Sequence, residues 1–173
     1  MKWVLLVIVV VVALVAIVAL IGALLPKNHV ASRTARFRQS PEALWQAITD
    51  YAGSTSWRTD LKSVERLPDR DDHQVWREID KHGQEMPLET VASSPPRRLV
   101  RRIADPRLPF GGTWTYEIIP TDRGSSLTIT ENGEVYNPIF RFVSRFIIGH
   151  TATIEGYLRA LGKKFREDVT ISS

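Results

Sequence analysis

An uncharged run of 22 residues near the amino terminus, residues 4–25, constrains this chain more than any other feature. As a helix rising 1.5 Å per residue, the run would be about 33 Å long, which matches the hydrocarbon core of a bilayer. Its β-branched residues disfavour a helix in water. Inside lipid, however, the backbone must bond within the segment, so helix is the stable form. The run therefore predicts one transmembrane helix, within an anchor of residues 1–27.

The alternative to an anchor is a cleaved signal peptide, whose apolar region is usually about 7–15 residues long. Val30-Ala31-Ser32 resembles a small-residue cleavage site, but the apolar run is longer than a signal peptide needs, so an uncleaved anchor is favoured. We expect a single-pass protein of a bacterial inner membrane. More basic residues follow the run than precede it, which weakly favours a cytoplasmic domain, although those arginines also belong to the first predicted strand.

The rest of the chain, residues 28–173, fits one domain of ordinary size that begins close to the bilayer surface. It contains no cysteine, which excludes disulfides, thiolate zinc sites and thiol nucleophiles. Acidic and basic residues are nearly balanced there, and no lysine-rich run occurs, so nucleic acid is not an expected partner. The four histidines are scattered, and the sequence has no phosphate-binding loop or nucleophile elbow. We predict no metal site, no cofactor and no catalytic nucleophile.

Local patterns predict a strand at 30–39, two short helices, six more strands and one long C-terminal helix. Ser40 and Pro41 form a helix start, with a capping hydroxyl followed by a first-turn proline. Over residues 137–168 apolar side chains recur at intervals of three, four or seven, which predicts one helix of roughly 30 residues with a buried face and a basic face. The six strands are expected at 61–67, 74–81, 85–92, 99–104, 113–119 and 126–135.

The last two predicted strands alternate with a period of two. Trp114 and Tyr116 fall on one face, Thr113 and Thr115 fall on the other, and residues 126–130 repeat the pattern. Alternation of this kind is typical of an antiparallel sheet with one buried face. Since no strand–helix–strand repeat occurs, the class is α+β: a curved antiparallel sheet wrapped around a long C-terminal helix, preceded by one transmembrane helix.

The ordered set of motifs resembles a known family. Residues 40–51, Ser-Pro-Glu-Ala-Leu-Trp-Gln-Ala-Ile-Thr-Asp-Tyr, resemble the opening of the START/polyketide-cyclase superfamily, also called SRPBCC. Residues 112–117 and 127–131 are similar to its penultimate hairpin, and the last helix completes the helix-grip pattern. The resemblance covers about residues 30–168. It implies a deep apolar cavity between the sheet and the long helix, which holds lipids, sterols, quinones, polyketides or hormones; some members are cyclases or aromatases, and many only bind.

Candidate ligand contacts follow from this resemblance and from the predicted strand and helix faces. The aromatic candidates are most simply core residues, and the resemblance implies that such residues also line the pocket. The apolar loop at 108–112, which contains Phe110, is either a gate at the cavity mouth or an ordinary turn that packs one phenylalanine. The cavity candidates are Trp45, Trp57, Arg77, Arg101, Phe110, Trp114, Tyr116, Glu131, Ile147, His150 and Ile154.

Several of these candidates have two interpretations. His150 falls on the expected buried face of the long helix, where it could orient a ligand or act as a general base; the alternative, and the more common case, is a core histidine bonded to backbone. Arg77, Arg101 and Glu131 share strand faces with apolar residues. An inward arginine could meet an anionic ligand head, whereas the alternatives are an internal Arg–Glu pair or strands whose charges face solvent.

We therefore predict a membrane-anchored binder, with a transfer or sensing role, of a hydrophobic small molecule such as a lipid, quinone or polyketide-like compound. The bilayer itself is the second partner, through residues 4–25. One alternative is a cyclase/dehydratase-type enzyme in which His150 or Glu131 moves a proton. Another is a protein-interaction module that uses the basic face of the C-terminal helix, Arg141, Arg145, Arg159 and Lys163, although no particular protein partner is predicted.

Overall fold

The chain forms one apolar helix followed by a mixed α+β domain. A computed structural model describes the backbone of all 173 residues and every side chain except that of Ile148. The helices are α1 (Lys2–Leu24), α2 (Pro41–Thr49), α3 (Pro138–Val143) and α4 (Ala152–Lys164), with a 3₁₀ turn at Ala52–Ser56 and a π-helical turn at Ser144–Ile148. The strands are β1 (Asn28–Phe37), β2 (Leu61–Arg70), β3 (His73–Asp80), β4 (Glu85–Ser94), β5 (Arg98–Ile103), β6 (Phe110–Thr121), β7 (Gly124–Val135) and β8 (Ile171–Ser172).

All eight strands join one curved sheet in the order β2-β3-β4-β5-β6-β7-β1-β8. Every neighbouring pair is antiparallel. On the outer face, hydroxyl pairs bridge β1 and β7, such as Ser32 with Thr130 at 3.0 Å and Thr34 with Thr128 at 2.9 Å. The predicted α+β class with an antiparallel sheet is confirmed, while the short strand β8 was not predicted.

The inner face of the sheet packs against α4 and α2. Leu127 and Ile129 from β7 are fully buried against Ile154, Leu158 and Leu161 from α4. This packing fills the space between the sheet and α4 with side chains. The predicted start of α2 is also present, since the Ser40 hydroxyl accepts a hydrogen bond of 3.2 Å from the Ala43 amide and Pro41 is in the first turn.

The prediction of one continuous C-terminal helix over 137–168 is wrong. The helix is interrupted after the π-helical turn at Gly149, whose backbone has φ of +78° and ψ of 148°. This conformation is accessible almost only to glycine, because a Cβ atom would clash with the backbone. Within residues 137–168, only α4 packs against the inner face of the sheet, so the apolar periodicity before Gly149 has a different cause.

The basic face predicted for the C-terminal helix is also interrupted. Arg141 is buried, and its guanidinium donates to the carbonyl oxygens of Leu25, at 2.8 Å, and Tyr136, at 3.4 Å. Arg159 is paired with Glu155 on its own helix at 3.0 Å. Arg141 and Arg159 are therefore engaged locally, and the four basic residues do not form one exposed stripe.

The helix break gives a stability prediction with a matched control. Gly149→Ala should destabilise the protein by about 1–3 kcal/mol, because alanine must adopt a strained backbone conformation there. Gly156→Ala, in the exposed interior of α4 where a new Cβ meets no atom within 4 Å, should instead stabilise by about 0.5–1 kcal/mol. Chemical denaturation of the two variants checks the opposite signs; equal behaviour would contradict the assigned break.

Candidate functional site

An open cleft of about 520 Å³ lies between α2 and strands β3, β4 and β5. Thr90 and Leu99 contribute its wall from the inner face of the sheet, Ala92 borders it beyond the β-bulge in β4, and Trp45 and Tyr51 close it from the helical side. The Tyr51 hydroxyl lies 3.1 Å from the Thr90 hydroxyl, which ties the two walls together. The remaining lining residues are Thr49, Asp72, His73, Gln74, Val91, Ser93 and Pro95.

Behind this wall lies a buried cluster of three charged side chains. Glu78 accepts a hydrogen bond of 2.6 Å from Arg58 and another of 2.7 Å from Arg101. Glu78 and Arg101 are each only 4% exposed. Arg58 also bonds to Asp60 at 2.7 Å, nearer to solvent. The cluster places two guanidinium groups around one carboxylate inside the sheet's curvature.

The charges in this cluster stabilise one another. Burial alone would raise the pKa of Glu78, but the neighbouring Arg101 and Arg58 hold it below its usual range. Burial likewise disfavours the charged form of Arg101, yet Glu78 keeps its pKa raised. Two nitrogens of Arg101, Nε and Nη2, are buried without a hydrogen-bond partner. An unsatisfied buried donor costs about 1–3 kcal/mol, so Arg101 has free capacity to bind an oxygen.

Aromatic rings surround the two guanidiniums. Arg101 Cζ lies 4.3 Å from the centroid of the Tyr51 ring, and Arg58 Cζ lies 5.4 Å from that of Tyr157. Tyr157 packs against Tyr116 at 5.6 Å and Trp57 at 5.3 Å between centroids. Burial raises the pKa of both Tyr116 and Tyr157, so their hydroxyls stay neutral. Tyr51 both lines the cleft and covers Arg101, so it separates the open space from the buried cation.

A second group of titratable residues lies near the helix break. The rings of His29 and His150 stack with centroids 3.8 Å apart, and His29 Nε2 is 3.5 Å from Glu131 Oε1. Burial raises the pKa of Glu131 to about 7, with Trp114 acting weakly in the opposite direction. Burial also lowers the pKa of His29, aided by His150. Of these three residues, Glu131 is therefore the one with a pKa near neutral pH, and none of the three lines the cleft.

The structure divides the sequence-predicted candidates into several environments. Trp45 lines the cleft, and Arg101 lies directly behind it. Trp57, Trp114, Tyr116 and Ile154 belong to or pack against the hydrophobic core, while Glu131 and His150 belong to the second titratable group.

Three candidates lie outside both groups. Arg77 is on the outer face of the sheet, where its side chain pairs with Glu65 and Glu85. Phe110 stacks on Phe140 at 6.1 Å. Ile147, expected on a buried helix face, is 70% exposed because the helix breaks next to it. Whether any of the eleven candidates contacts a ligand stays a prediction.

Sequence reasoning missed Tyr51, Arg58, Glu78 and Thr90 as site residues. The face of β3 that carries Arg77 also carries Val75 and Ile79, and the sequence left open whether it points inward; the structure turns Trp76 and Glu78 inward instead. An internal Arg–Glu pair was one of the expected alternatives, and Arg101 does have such a partner in Glu78. The signal for Glu78 is its charge beside Trp76 in a strand, but its two partners come from different parts of the chain.

Comparisons with known proteins agree with the fold. A family profile described as polyketide cyclase / dehydrase and lipid transport matches residues 28–170. A START superfamily protein from Mycobacterium smegmatis superposes with a TM-score of 0.60 at 17% identity, covering 80% of this chain and 97% of that one. Zhui aromatase/cyclase from a Streptomyces species gives 0.60 at 13% identity, covering 80% and 94%. Norcoclaurine synthase from Thalictrum flavum gives 0.60 at 12% identity, covering 82% and 88%.

At these identities the structural likeness establishes the fold alone. No curated protein matches the sequence significantly. Among the described residues, no group of three histidine, aspartate or glutamate side chains is arranged to hold a metal ion.

The buried cluster predicts a large difference between two identical substitutions. Glu78→Gln leaves Arg101 buried without its counter-charge and should destabilise the protein by about 3–5 kcal/mol. Glu65→Gln, which removes an outer-face partner of Arg77, should have a much smaller effect because water screens exposed pairs. Urea unfolding of the two variants measures the difference; similar losses would contradict the assigned role of Glu78.

The second titratable group predicts a pH dependence of stability. Because the pKa of Glu131 is raised from 4.5 to about 7 in the folded protein, the folded state binds more protons than the unfolded state between these values, and stability falls as pH rises through that window. Each pKa unit by which the folded and unfolded states differ corresponds to about 1.4 kcal/mol, so the folded protein loses about 3 kcal/mol of stability across this window. Glu131→Gln should remove this loss.

Thermal unfolding from pH 5 to pH 8 tests this prediction, and the quantity compared at each pH is the difference in stability between the Glu131→Gln variant and the parent protein. The lowered pKa of His29 acts in the opposite direction below pH 6.5, and it is present in both proteins. A difference that stays constant with pH would show that Glu131 has an ordinary pKa.

Proposed function

Because the chain belongs to the polyketide cyclase/dehydrase and lipid transport family, we propose that it is a membrane-tethered binder of a hydrophobic small molecule with an anionic head. Helix α1 is long and apolar enough to cross a bilayer, with a mean hydropathy of 3.8. In the proposal it remains attached and holds residues 28–173 against the membrane surface. Apolar ligands partition into the bilayer, so the tether keeps the binding domain beside its source of ligand. No covalent step is involved.

The observation that most supports this proposal is a cleft with a buried arginine, Arg101, behind its wall that has hydrogen-bond donors without partners. The cleft offers apolar contacts from Trp45 and Leu99, and apolar burial stabilises a ligand by roughly 25 cal/mol per Å². Arg101 has two unpaired donors within the buried cluster. Few, well-placed polar groups commonly set the orientation of a ligand in such a site.

Tyr51 is the residue that must move for the head group to reach Arg101. Its ring covers the guanidinium at 4.3 Å, and its hydroxyl is held by Thr90. A carboxylate or phosphate that displaces the ring would exchange a cation–π contact for a charged hydrogen bond, which is the stronger interaction. Glu78 keeps a second partner in Arg58, so the cluster stays neutralised when Arg101 also binds a ligand.

A second candidate function is proton-transfer catalysis of the cyclase/dehydratase kind. One observation favours it: Glu131 has a pKa near 7 and lies beside His29 and His150, which is suitable for a general acid or base. Against it, these residues do not line the cleft. Loss of turnover in Glu131→Gln with unchanged ligand binding would distinguish this function from simple binding.

The binding proposal is tested with full-length protein purified from membranes in mild detergent without added ligand. Native mass spectrometry with solvent extraction should detect a discrete bound mass of a few hundred daltons. Arg101→Met should lower its occupancy at least about tenfold, since a hydrogen bond to a charged group contributes about 1.5–3 kcal/mol.

Arg102→Met is the matched control. Arg102 is the next residue in β5, points to the outer face and pairs with Glu89, which retains His73; occupancy should be unchanged. Equal occupancy in both variants would overturn the role of Arg101. A protein that stays ligand-free after exposure to total lipid extract and quinones would overturn binding altogether.

A further inference from the structure

The segment between β7 and α4 carries an unusual concentration of exposed apolar side chains. We call Pro138–Ile148, which comprises α3 and the π-helical turn, the α3 segment. Ile139, Phe140, Phe146 and Ile147 are all exposed, the last two at 60% and 70%. Apart from these four, residues 1–24 and the adjacent Tyr136, the large apolar side chains that are exposed among the described residues are Val30 and Ile119. A monomeric domain rarely leaves such a patch uncovered.

The α3 segment packs directly against α1. The carbonyl oxygen of Pro138 lies only 1.8 Å from where a Cβ atom of Gly22 would stand, so only glycine allows this approach. Three residues before Pro138, the Val135 amide donates to the Lys27 carbonyl at 2.8 Å. The chain therefore runs alongside α1 from the level of Lys27 back to the level of Gly22, towards the middle of the apolar helix.

The face of α1 that loses exposure shows how far this packing extends. Val18, Ala19 and Gly22 share one face of α1, and they and Leu25, which follows the helix, are less exposed than their neighbours. From Val18 to Leu25 the helix rises about 10 Å at 1.5 Å per residue. If α1 crosses the bilayer, the α3 segment that covers this face lies about 5–10 Å into the boundary between headgroups and acyl chains, which is the depth that interfacial helices reach.

The charged residues of the α3 segment suit this depth. Arg141 is buried and donates to the Leu25 carbonyl, which satisfies one of the free carbonyls at the end of α1 and places a positive charge at the negative end of its dipole. Arg145 is exposed, and its long side chain can reach the headgroups while its stem stays in the apolar layer. A position between protein and lipid would explain the apolar periodicity of residues 137–148, which predicted a buried helix.

We infer that the α3 segment is a second membrane contact, inserted in the same leaflet into which α1 emerges, with Phe146 and Ile147 among the lipid acyl chains. This inference rests on the proposed tethered state of α1. The consequence is a rigid attachment: a single helix with a short linker lets a domain swivel, whereas two adjacent contacts hold the domain in one orientation on the bilayer.

Site-directed labelling tests the inference in the full chain, because the protein has no cysteine of its own. Ile147→Cys carries an environment-sensitive fluorophore, and Ile119→Cys on β6 is the control, since that isoleucine is 58% exposed but distant in sequence from the α3 segment. The proteins are placed in nanodiscs of phosphatidylcholine and phosphatidylglycerol. Lipids brominated or spin-labelled along the acyl chain report insertion, and aqueous iodide reports exposure to water.

We expect acyl-chain quenchers to reduce the emission at position 147 at least twofold and to leave position 119 unchanged, with iodide giving the reverse. Equal iodide quenching at both positions would overturn the inference, and so would a label at 147 shielded from lipid and water alike, because protein would then cover the segment. Gly22→Leu, which forces α3 away from α1, should reduce the lipid quenching at 147.

The outcome is separable from that of the proposed function. Ligand occupancy is measured by mass on unlabelled protein, so a water-exposed position 147 with bound ligand overturns the second contact alone. A purified protein whose mass lacks the first 25 or so residues would overturn the tether, and the inference with it.

Discussion

The concave face of an eight-stranded sheet must be removed from water, and α4 is too short to cover it alone. Its 13 residues bury Ile154, Leu158 and Leu161 against the centre of the sheet. The rest of the concave face is covered by α2 and the 3₁₀ turn, and there the interior becomes polar, around Glu78. The site that we propose for the ligand lies where apolar coverage by helices ends.

The buried charges explain why that region is suited to binding. A carboxylate between two guanidiniums can be kept in a protein interior only when its charges are compensated, as they are between Arg58, Glu78 and Arg101. Such a cluster contributes little net stability compared with apolar packing, and in the binding proposal its unpaired nitrogens are the donors that meet the ligand. The same low-polarity surroundings that make an unpaired donor costly would make its bond to a ligand strong.

Helix α1 and the α+β domain pack against each other in this structure. Gly22 permits contact between α1 and Pro138, and Arg141 binds the end of α1. A removable signal sequence has no need of a matched partner in the mature domain. The packing therefore agrees with a retained helix, and it orients the domain relative to whatever surface α1 enters.

Local sequence determined several elements of this protein. The uncharged run dictates α1, Ser40 and Pro41 begin α2, and alternation marks β6 and β7, because each depends on side chains a few residues apart. Only the tertiary structure decided the rest. The same helical periodicity reflects packing against the sheet after Gly149 and contact with a different surface before it. Which face of β3 points inward depends on the contacts of Glu78 with Arg58 and Arg101, and Arg101 is more than twenty residues away along the chain. Contacts between distant residues leave no periodic trace, so the clustered charges and the cleft could be read only from the folded chain.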